Sequence, residues 1–433
     1  MNKKISRRQV LMLLTGVTGT AGLVWARHRT ATLATRNLLP PDGTLTYLPY
    51  AARQSTPTST STPTATRTPT PSRTATATRT PTATNTRVSG QPQVVHLHSG
   101  SATNWGGQTD YWNYVNQSKV NNMVDRGVME LTNTATRADA WRALIHNYAP
   151  GKAIAIKVNF NNSGGCSDSD GQIDALIQPV NAVIEGLKSM GVAEADIWIY
   201  DATRRIPAKF TNGCPYNDIK FFSSEVCGTR VARAAWSTTA VQFSPPSGVS
   251  TPPSENLPQL LLNASYLINM PILKNHSCAG VTLSFKNHFG TINNPGGLHE
   301  WVFLGRNCVG DHFGTIYSPL VDIYKNANIG SKTILTIADA LFACKGQEDI
   351  GPSTWSTFDR KVPNSLLLAT DPVAIDCVMC DLLGAEPGAG VTTDADNYLK
   401  LAHAASLGVF ERGNPWAPGG SGYSLINYRK IEL

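Results

Sequence analysis

The stretch that decides the fold is KAIAIKVNF at residues 152–160, followed by IDALIQPVNAVIEGLKSM at 173–190 and DIWIY at 196–200. The first and third pieces are short, apolar and rich in β-branched residues, as buried strands are. The middle piece repeats its apolar residues with the period of a helix, and Gly191 after it predicts the helix end. A strand, a helix and a strand in this order form a βαβ unit and predict a parallel sheet.

The same alternation continues along the chain. Further strands are predicted at 94–98, 266–270, 332–338 and 365–370, and further helices at 317–327, 372–384 and 395–406. The connection 201–259 is long, Gly/Pro-rich and contains cysteines, and we expect it to be an elaborated loop region or a subdomain. The sequence therefore predicts an α/β domain over residues 91–433, with a mostly parallel sheet and flanking helices.

The first 90 residues are not part of this domain. Residues 1–26, MNKKISRRQVLMLLTGVTGTAGLVWA, have a basic start, an apolar run and a small-x-small end, which predict an export signal or anchor of the twin-arginine type. Residues 27–90 are rich in Thr and Pro and predict a disordered stalk. We therefore expect an exported protein of the periplasm, cell surface or extracellular space. Its predicted partners are the twin-arginine translocation machinery and, through the N-terminus alone, the membrane.

The charge distribution argues against nucleic-acid binding. The chain is formally +7, but residues 1–87 contain 12 of the 37 Lys and Arg residues and one acidic residue, Asp42. The remainder has 25 basic and 29 acidic residues and is net −4. A mildly acidic domain without a basic stripe does not predict a nucleic-acid partner.

All eight cysteines follow residue 160, and their number permits disulfides in an exported protein. Cys166, Cys214 and Cys227 lie in polar loops where disulfides are expected. Cys377 and Cys380 lie in an apolar helical pattern and are predicted as core residues. No closely spaced cysteine run ends in Cys-Pro, so we expect no integral ferredoxin-type cluster.

Polar residues follow the predicted strands. Because the carboxyl ends of parallel strands meet at one edge of a sheet, we expect these side chains to converge on a ligand there. Helix capping and turn formation are the alternative for Asp201, Asp339 and Asp371, and a solvent-facing position is the alternative for Lys157. Asp376 lies inside an apolar helical pattern, where a buried carboxylate needs a partner such as Lys or His. The residues are Lys157, Asn159, Asp201, Asp339, Asp371 and Asp376.

PILKNHSCAGVTLSFKNHFGT, residues 271–291, contains Lys-Asn-His twice. Lys274 and His276 belong to the first copy, and Lys286, Asn287 and His288 to the second. We predict that this segment forms a wall of the same cleft, although one lysine could serve only as a counter-ion. The imidazoles, with His299, His312 and Cys278, match no zinc spacing, so a bound metal ion stays open.

These residues resemble the family known as domain of unknown function 362. The resemblance rests on IKVNFN (156–161), IYDATRR (199–205), the doubled motif, IADAL (337–341) and LATDPVAIDCVMCDLLG (368–384). It implies an α/β fold and carries no activity with it.

The preferred hypothesis is an exported enzyme acting on a small anionic or carbonyl-bearing ligand. A non-catalytic solute- or glycan-binding module displayed on the stalk is the first alternative, and a redox protein with an iron–sulfur partner is the second. Cofactors stay open, including a metal ion. The predicted catalytic residues are Lys274, His276, Lys286, Asp201 and Asp376, and the predicted ligand-binding residues are Lys157, Asn159, Asn287, His288, Asp339 and Asp371.

Overall fold

The structure is a computed structural model, and it describes residues 90–276, 279–302, 315–345, 351–391 and 393–433. The predicted signal and all but the last residue of the predicted stalk lie outside these residues, as do Cys278 and His312. Among the helices in the described ranges, none combines the length and the apolarity that a membrane crossing requires.

The strands of the described residues number thirteen. In chain order they are β1 Gln93–His98, β2 Ile154–Lys157, β3 Ile197–Asp201, β4 Lys220–Ser223, β5 Val231–Arg233, β6 Trp236–Ala240, β7 Asn256–Pro258, β8 Tyr266–Asn269, β9 Lys274–His276, β10 Gly280–Thr282, β11 Thr333–Ala340, β12 Ser365–Ala369 and β13 Asn427–Glu432. Nine of them form one sheet in the order β13-β1-β12-β11-β8-β2-β3-β4-β5, while β9–β10 and β6–β7 form separate two-stranded ribbons.

Six of the eight strand pairs in the large sheet are parallel. The two antiparallel pairs both involve β12. The predicted α/β class and mostly parallel sheet are confirmed. The predicted βαβ unit is β2 and β3 with the helix Ile177–Ser189 between them.

The helices flank the sheet. They are α1 Gln117–Thr132, α2 Arg137–Leu144, α3 Ile177–Ser189, α4 Ala208–Thr211, α5 Gln259–Asn263, α6 Ser284–Asn287, α7 His299–Val302, α8 Pro319–Lys325, α9 Pro372–Ala385 and α10 Asn397–Ala404. The sheet has a hydrophobic core on each face, and the side chains of alternate strand residues pack in different cores, because successive side chains of a strand point to opposite faces. Ile154 and Ile156 pack with α1, α2 and α3, whereas Ala155 faces the core formed with α5, α6, α8, α9 and α10.

One predicted helix is shorter in the structure, and the 201–259 connection contributes strands to the sheet. The helix predicted over 173–190 begins only at Ile177, because the backbone before it is extended and the Ala175 amide donates to the Asn159 carbonyl oxygen at 2.8 Å. The apolar residues Ile173 and Leu176 are buried, so they continued the apolar pattern without being helical. The 201–259 connection, predicted as an elaborated loop region or a subdomain, adds β4 and β5 to the sheet and contributes the β6–β7 ribbon.

The disulfide expectation is partly resolved. Cys166 and Cys227 form a disulfide that joins the loop after β2 to the loop after β4. Cys214 is a buried free thiol. Cys377 and Cys380 are fully buried on α9, where burial raises the pKa of both thiols, as expected of core residues.

Candidate functional site

A cavity of about 860 Å³ lies at the carboxyl ends of β2 and β3. Other walls come from the segment after each of these strands, from the β9–β10 hairpin, and from α6 with the turn His288–Thr291 that follows it. Ligands of open α/β sheets bind at this edge. Six of the eleven residues predicted for the site line the cavity: Lys157, Asn159, Asp201, His276, Lys286 and Asn287.

Lys157 and Asp201 form a buried ion pair beneath the cavity. The Lys157 Nζ lies 3.3 Å from Asp201 Oδ2, and the side chains are 1% and 3% exposed. The same Nζ donates to Asn287 Oδ1 at 3.3 Å and to the Val158 carbonyl oxygen. Burial lowers the pKa of Lys157, and the neighbouring Asp201 carboxylate opposes this shift. Three acceptors around one ammonium group match its three N–H bonds, so Lys157 mainly holds its neighbours in place.

Asp201 is fixed from two sides. Its Oδ2 also accepts from the Phe160 amide at 3.0 Å, and its Oδ1 accepts from the Thr203 amide at 3.2 Å. Asp201 is the last residue of β3, and Phe160 and Thr203 belong to the segments that follow the two strands. The carboxylate therefore ties the two strand ends together.

A chain of amide side chains connects α6 to the sheet. Asn159 Nδ2 donates to Asn287 Oδ1 at 3.1 Å, and Asn287 Nδ2 donates to Asn269 Oδ1 at 2.7 Å. Asn269 Nδ2 then donates to the Ser284 carbonyl oxygen at 2.9 Å. Because these groups are buried and hydrogen-bonded to one another, the orientation of Asn287 in the cavity wall is fixed.

Gly290 permits the close approach of the His288–Thr291 turn to the ion pair. A Cβ atom at this position would lie 2.4 Å from Lys157 Nζ and 2.6 Å from Asp201 Oδ1. The Gly290 carbonyl oxygen also accepts from the Ala202 amide at 2.9 Å. The glycine after the second Lys-Asn-His is therefore required by the packing.

The two Lys-Asn-His copies are used differently, and only part of the segment forms the cavity wall. In the first copy, Lys274 is fully buried, lies outside the cavity lining and donates to Asn162 Oδ1 at 3.1 Å. His276 lines the cavity, and its Nδ1 accepts from the Ala279 amide at 3.1 Å. Because Nδ1 accepts, the neutral ring carries its proton on Nε2.

In the second copy, Lys286 and Asn287 line the cavity, and His288 does not. His288 is fully buried, and burial together with the positive charge of Lys157 lowers its pKa to about 3. Its ring packs against Tyr324 with a centroid separation of 5.7 Å. His288 therefore lies behind the cavity lining and supports the turn from there.

Three predicted aspartates do not line the cavity, each for a different reason. Asp371 lies at the opposite edge of the sheet because β12 is antiparallel, and it caps α9 by accepting from the amides of Val373 and Ala374 at 2.9 and 2.8 Å. Asp339 follows Ile337 by two residues and so faces the α1–α3 side, where burial raises its pKa to about 7.

Asp376 supports the cavity indirectly. Its Oδ1 accepts from the Ser284 amide at 2.8 Å, and its Oδ2 accepts from the Phe285 amide at 3.3 Å and the Tyr398 hydroxyl at 2.9 Å. These amides begin α6, the helix that contains Lys286. Burial raises the pKa of Asp376 to about 6. The predicted need of this carboxylate for a partner is met by hydrogen-bond donors of α6 and α10.

Several cavity residues were missed by sequence reasoning because they follow no periodic pattern. Arg204 follows β3, Arg233 ends β5, and Trp236 begins β6. Arg204 lies three residues after Asp201 within IYDATRR, and this spacing was the signal that could have identified it. His299 also lines the cavity, with its ring 6.4 Å from that of His276.

The described part of the cavity lining is rich in positive charge. Among the described residues of the lining, four side chains are cationic, namely Lys157, Arg204, Arg233 and Lys286, and one, Asp201, is a carboxylate. Asp201 is already paired with Lys157. The guanidinium of Arg204 donates to Asn161 Oδ1 at 3.0 Å and to the Thr203 carbonyl oxygen at 3.2 Å, both uncharged acceptors. An excess of positive charge with fixed donors suits an anionic ligand.

Within the described ranges, no three His, Cys, Asp or Glu side chains are grouped as metal ligands. The strand histidines have structural contacts: His96 lies 2.7 Å from the Tyr428 hydroxyl and 2.8 Å from that of Ser365, and His98 pairs with Glu432.

Fold and site together define the class of this protein: an α/β protein with cationic side chains in a cavity at the carboxyl edge of its sheet. The chain belongs to the family described as Domain of unknown function (DUF362), whose model matches residues 154–381, and the resemblance is thereby confirmed. The chain is also similar to a thylakoid-associated protein of Synechocystis sp., with 28% identity over 154 residues, which is 36% of this chain and 43% of that protein. The chain thus spans less than half the length of that relative.

Proposed function

We propose that the cavity binds a small organic anion and is the active centre of this protein. The observation that carries the proposal is the Arg204 guanidinium, which is half-buried in the cavity lining and donates to the uncharged acceptors Asn161 Oδ1 and the Thr203 carbonyl oxygen. A half-buried guanidinium whose acceptors are uncharged gains stability when an anion enters.

The anion is expected between the wall formed by Arg204 and the wall formed by Lys286. Asn161 orients the guanidinium, whose fork geometry suits the two oxygens of a phosphate or carboxylate. The Asn159 side chain also lines the cavity and adds an uncharged polar contact.

A proton-transfer role for His276 is the enzymatic part of the proposal. The neutral ring carries its proton on Nε2 and can share it, as a hydrogen-bond donor, with a ligand oxygen that acquires negative charge while a proton moves on the ligand. Lys157 and Asp201 would keep the strand ends in place during this step. The reaction belongs to proton transfer on a small anionic or carbonyl compound.

Non-catalytic capture is the second candidate, and the amide content of the lining favours it. Five asparagines line the cavity, and carboxamides bind polar groups without exchanging protons. Turnover of a bound ligand by the wild-type protein, lost in a His276→Asn variant that still binds it, separates the enzyme from the binding module.

Isothermal titration with inorganic phosphate, acetate and a neutral polyol tests anion binding. We expect the anions to bind and the polyol not to bind. Arg204→Gln and Lys286→Gln should each weaken binding by about tenfold, or about 1.4 kcal/mol. Lys119→Gln is the matched control, since Lys119 is exposed on α1, which packs on the opposite face of the sheet. Equal affinities in all four proteins would refute the proposal.

We also propose that the protein is exported. The Cys166–Cys227 disulfide supports this location, because such bonds persist mainly in oxidising compartments. The relative named as thylakoid-associated adds weaker support for a protein that works beside a membrane. Cell fractionation of the wild type and of an Arg7→Lys/Arg8→Lys variant tests the proposal: the wild type should leave the cytoplasm and the variant should remain there. A wild-type protein found only in the cytoplasm would contradict export.

A further inference from the structure

Arg204, the residue on which anion binding depends, is positioned by the loops on either side of its own. Its Nη2 donates to Asn161 Oδ1 at 3.0 Å, and Asn161 lies in the loop after β2. Its carbonyl oxygen accepts from the Ser224 amide at 3.0 Å, and Ser224 lies in the loop after β4. Because β2, β3 and β4 are neighbours in the sheet, three adjacent loops of the cavity edge meet at this arginine.

The Cys166–Cys227 disulfide joins the two outer loops of this group covalently. Cys166 follows Asn161 by five residues, and Cys227 follows Ser224 by three. The disulfide therefore closes a ring that passes through both loops and through the two hydrogen bonds of Arg204. A covalent link of this kind holds a binding loop in one conformation before the ligand arrives.

The loop after β2 has little else to fix its conformation. Residues 161–172, NNSGGCSDSDGQ, contain no large apolar side chain, and the structure describes all of them as neither helix nor strand. Such segments are the least stable parts of a fold. Two contacts with α4 remain when the disulfide is opened: the Cys166 carbonyl oxygen accepts from the Ala208 amide at 2.8 Å, and Asp168 Oδ2 lies 3.1 Å from Lys209 Nζ. We therefore expect reduction to loosen the loop without unfolding the domain.

The disulfide lies where a reductant can reach it. Cys166 is half-buried, and Val226, the neighbour of Cys227, is 64% exposed. A thiolate of a dithiol reductant attacks Cys166 Sγ, and the Cys227 sulfur leaves as a thiolate. The second thiolate of the reductant then attacks its own sulfur in the mixed disulfide and releases Cys166. The dithiol ends as a disulfide, and the protein has gained two electrons and two protons.

We propose that the redox state of Cys166 and Cys227 sets the anion affinity of the cavity through the position of Arg204. The inference rests on the proposed function and adds the regulation of the same site. With the disulfide formed, Asn161 and Ser224 hold the guanidinium ready for an anion. With the disulfide reduced, ordering these loops consumes part of the binding free energy. The cavity therefore reaches its full affinity only in an oxidising compartment, where such a disulfide persists.

Isothermal titration of the full chain with inorganic phosphate, before and after treatment with dithiothreitol, tests the inference. Reduction should weaken phosphate binding to the wild type by about fivefold. Cys166→Ser/Cys227→Ser should bind like the reduced wild type and should not respond to dithiothreitol, which excludes an effect on other cysteines. Arg204→Gln should bind weakly and with the same affinity in both redox states, because the disulfide acts through Arg204.

The outcomes separate this inference from the proposed function. If the oxidised wild type does not bind phosphate, the anion-binding function fails and the inference fails with it. If it binds with equal affinity in both redox states, only the inference is refuted. A loss on reduction that is as large in Arg204→Gln as in the wild type also refutes it, because the effect would not pass through Arg204. Circular dichroism of the reduced protein completes the test: a lost spectrum would overturn the inference, since the disulfide would then hold the whole fold and not the site.

Discussion

Replacing Gly290 by alanine tests the close packing of the Lys157–Asp201 ion pair beneath the cavity. The added Cβ would lie 2.4 Å from Lys157 Nζ, 2.5 Å from Lys157 Cε and 2.6 Å from Asp201 Oδ1. These distances are too short for any real Cβ contact, so the turn or the ion pair must move. Gly290 lies in a 3-10 turn that other residues can adopt, so backbone strain adds nothing.

The expected loss of stability follows from two destabilising contributions and one smaller stabilising contribution. Overpacking a buried site costs about 1–3 kcal/mol, and separating a buried ion pair adds part of the roughly 3–5 kcal/mol that its complete disruption costs. Alanine recovers up to about 1 kcal/mol by reducing the entropy of the unfolded chain. We therefore expect Gly290→Ala to lower the free energy of unfolding by about 2–4 kcal/mol and to weaken anion binding.

Urea unfolding followed by circular dichroism measures this loss. Gly296→Ala is the matched control, because Gly296 lines the same cavity and its added Cβ would lie 3.7 Å from its nearest neighbour, Asn294 Oδ1. The control should stay within about 0.5 kcal/mol of the wild type. A Gly290→Ala protein as stable as the control, with unchanged anion affinity, would refute the described packing of Lys157 and Asp201.

Three further predictions concern the surroundings of the cavity. Burial raises the pKa of Glu255 from 4.5 to about 7, so its contribution to stability is present below pH 4.5 and is lost as the pH rises to about 7. The Glu255→Gln variant should not show this loss. Its free energy of urea unfolding should exceed that of the wild type by about 2 kcal/mol at pH 8 and equal it at pH 4.5. The same difference between the two proteins at both pH values would contradict this prediction. Replacing Cys166 and Cys227 by serine opens a loop with a sequence separation of 61 and should lower the free energy of urea unfolding by about 4 kcal/mol. An unchanged unfolding midpoint would show that the disulfide does not stabilise the fold. Asp376→Ala should lower the free energy of unfolding by about 3 kcal/mol and weaken anion binding. Asp371→Ala should lower it by about 1–2 kcal/mol and leave the affinity for anions unchanged. Equal effects of the two variants on anion affinity would be inconsistent with their positions.

The sequence allowed the sheet and part of the cavity lining to be predicted because both depend on regular patterns. Apolar runs identified β2 and β3, and the residues directly after them reach the same edge whatever the loops do. Lys157, Asn159 and Asp201 were found for this reason, and the structure places all three in the cavity lining.

The direction of β12 relative to its neighbours could not be predicted from its own residues, because an apolar run fits a parallel and an antiparallel strand equally well. The connection between β11 and β12 held the missing signal. In its described part the only helical turn is Ser356–Phe358, and a parallel neighbour would need a longer helical crossover. Asp371 was therefore assigned to the wrong edge of the sheet.

Side chains from irregular segments were harder to predict. Arg233 and Trp236 reach the cavity only because β5 is the edge strand of the sheet and β6 leaves it to form a separate ribbon. Nothing in their local sequence indicates this path. The roles of Lys274 and His288 likewise depend on which face of a short element each residue occupies, and sequence spacing alone does not determine that.

The most direct test of an anion-binding cavity is a crystal structure of the protein grown with tungstate, a tetrahedral dianion that anomalous scattering locates without ambiguity. We expect the tungsten peak inside the cavity, with tungstate oxygens about 3 Å from the Arg204 guanidinium and the Lys286 ammonium. A structure in which tungstate binds only elsewhere on the surface, and the cavity holds none at saturating concentration, would contradict the account.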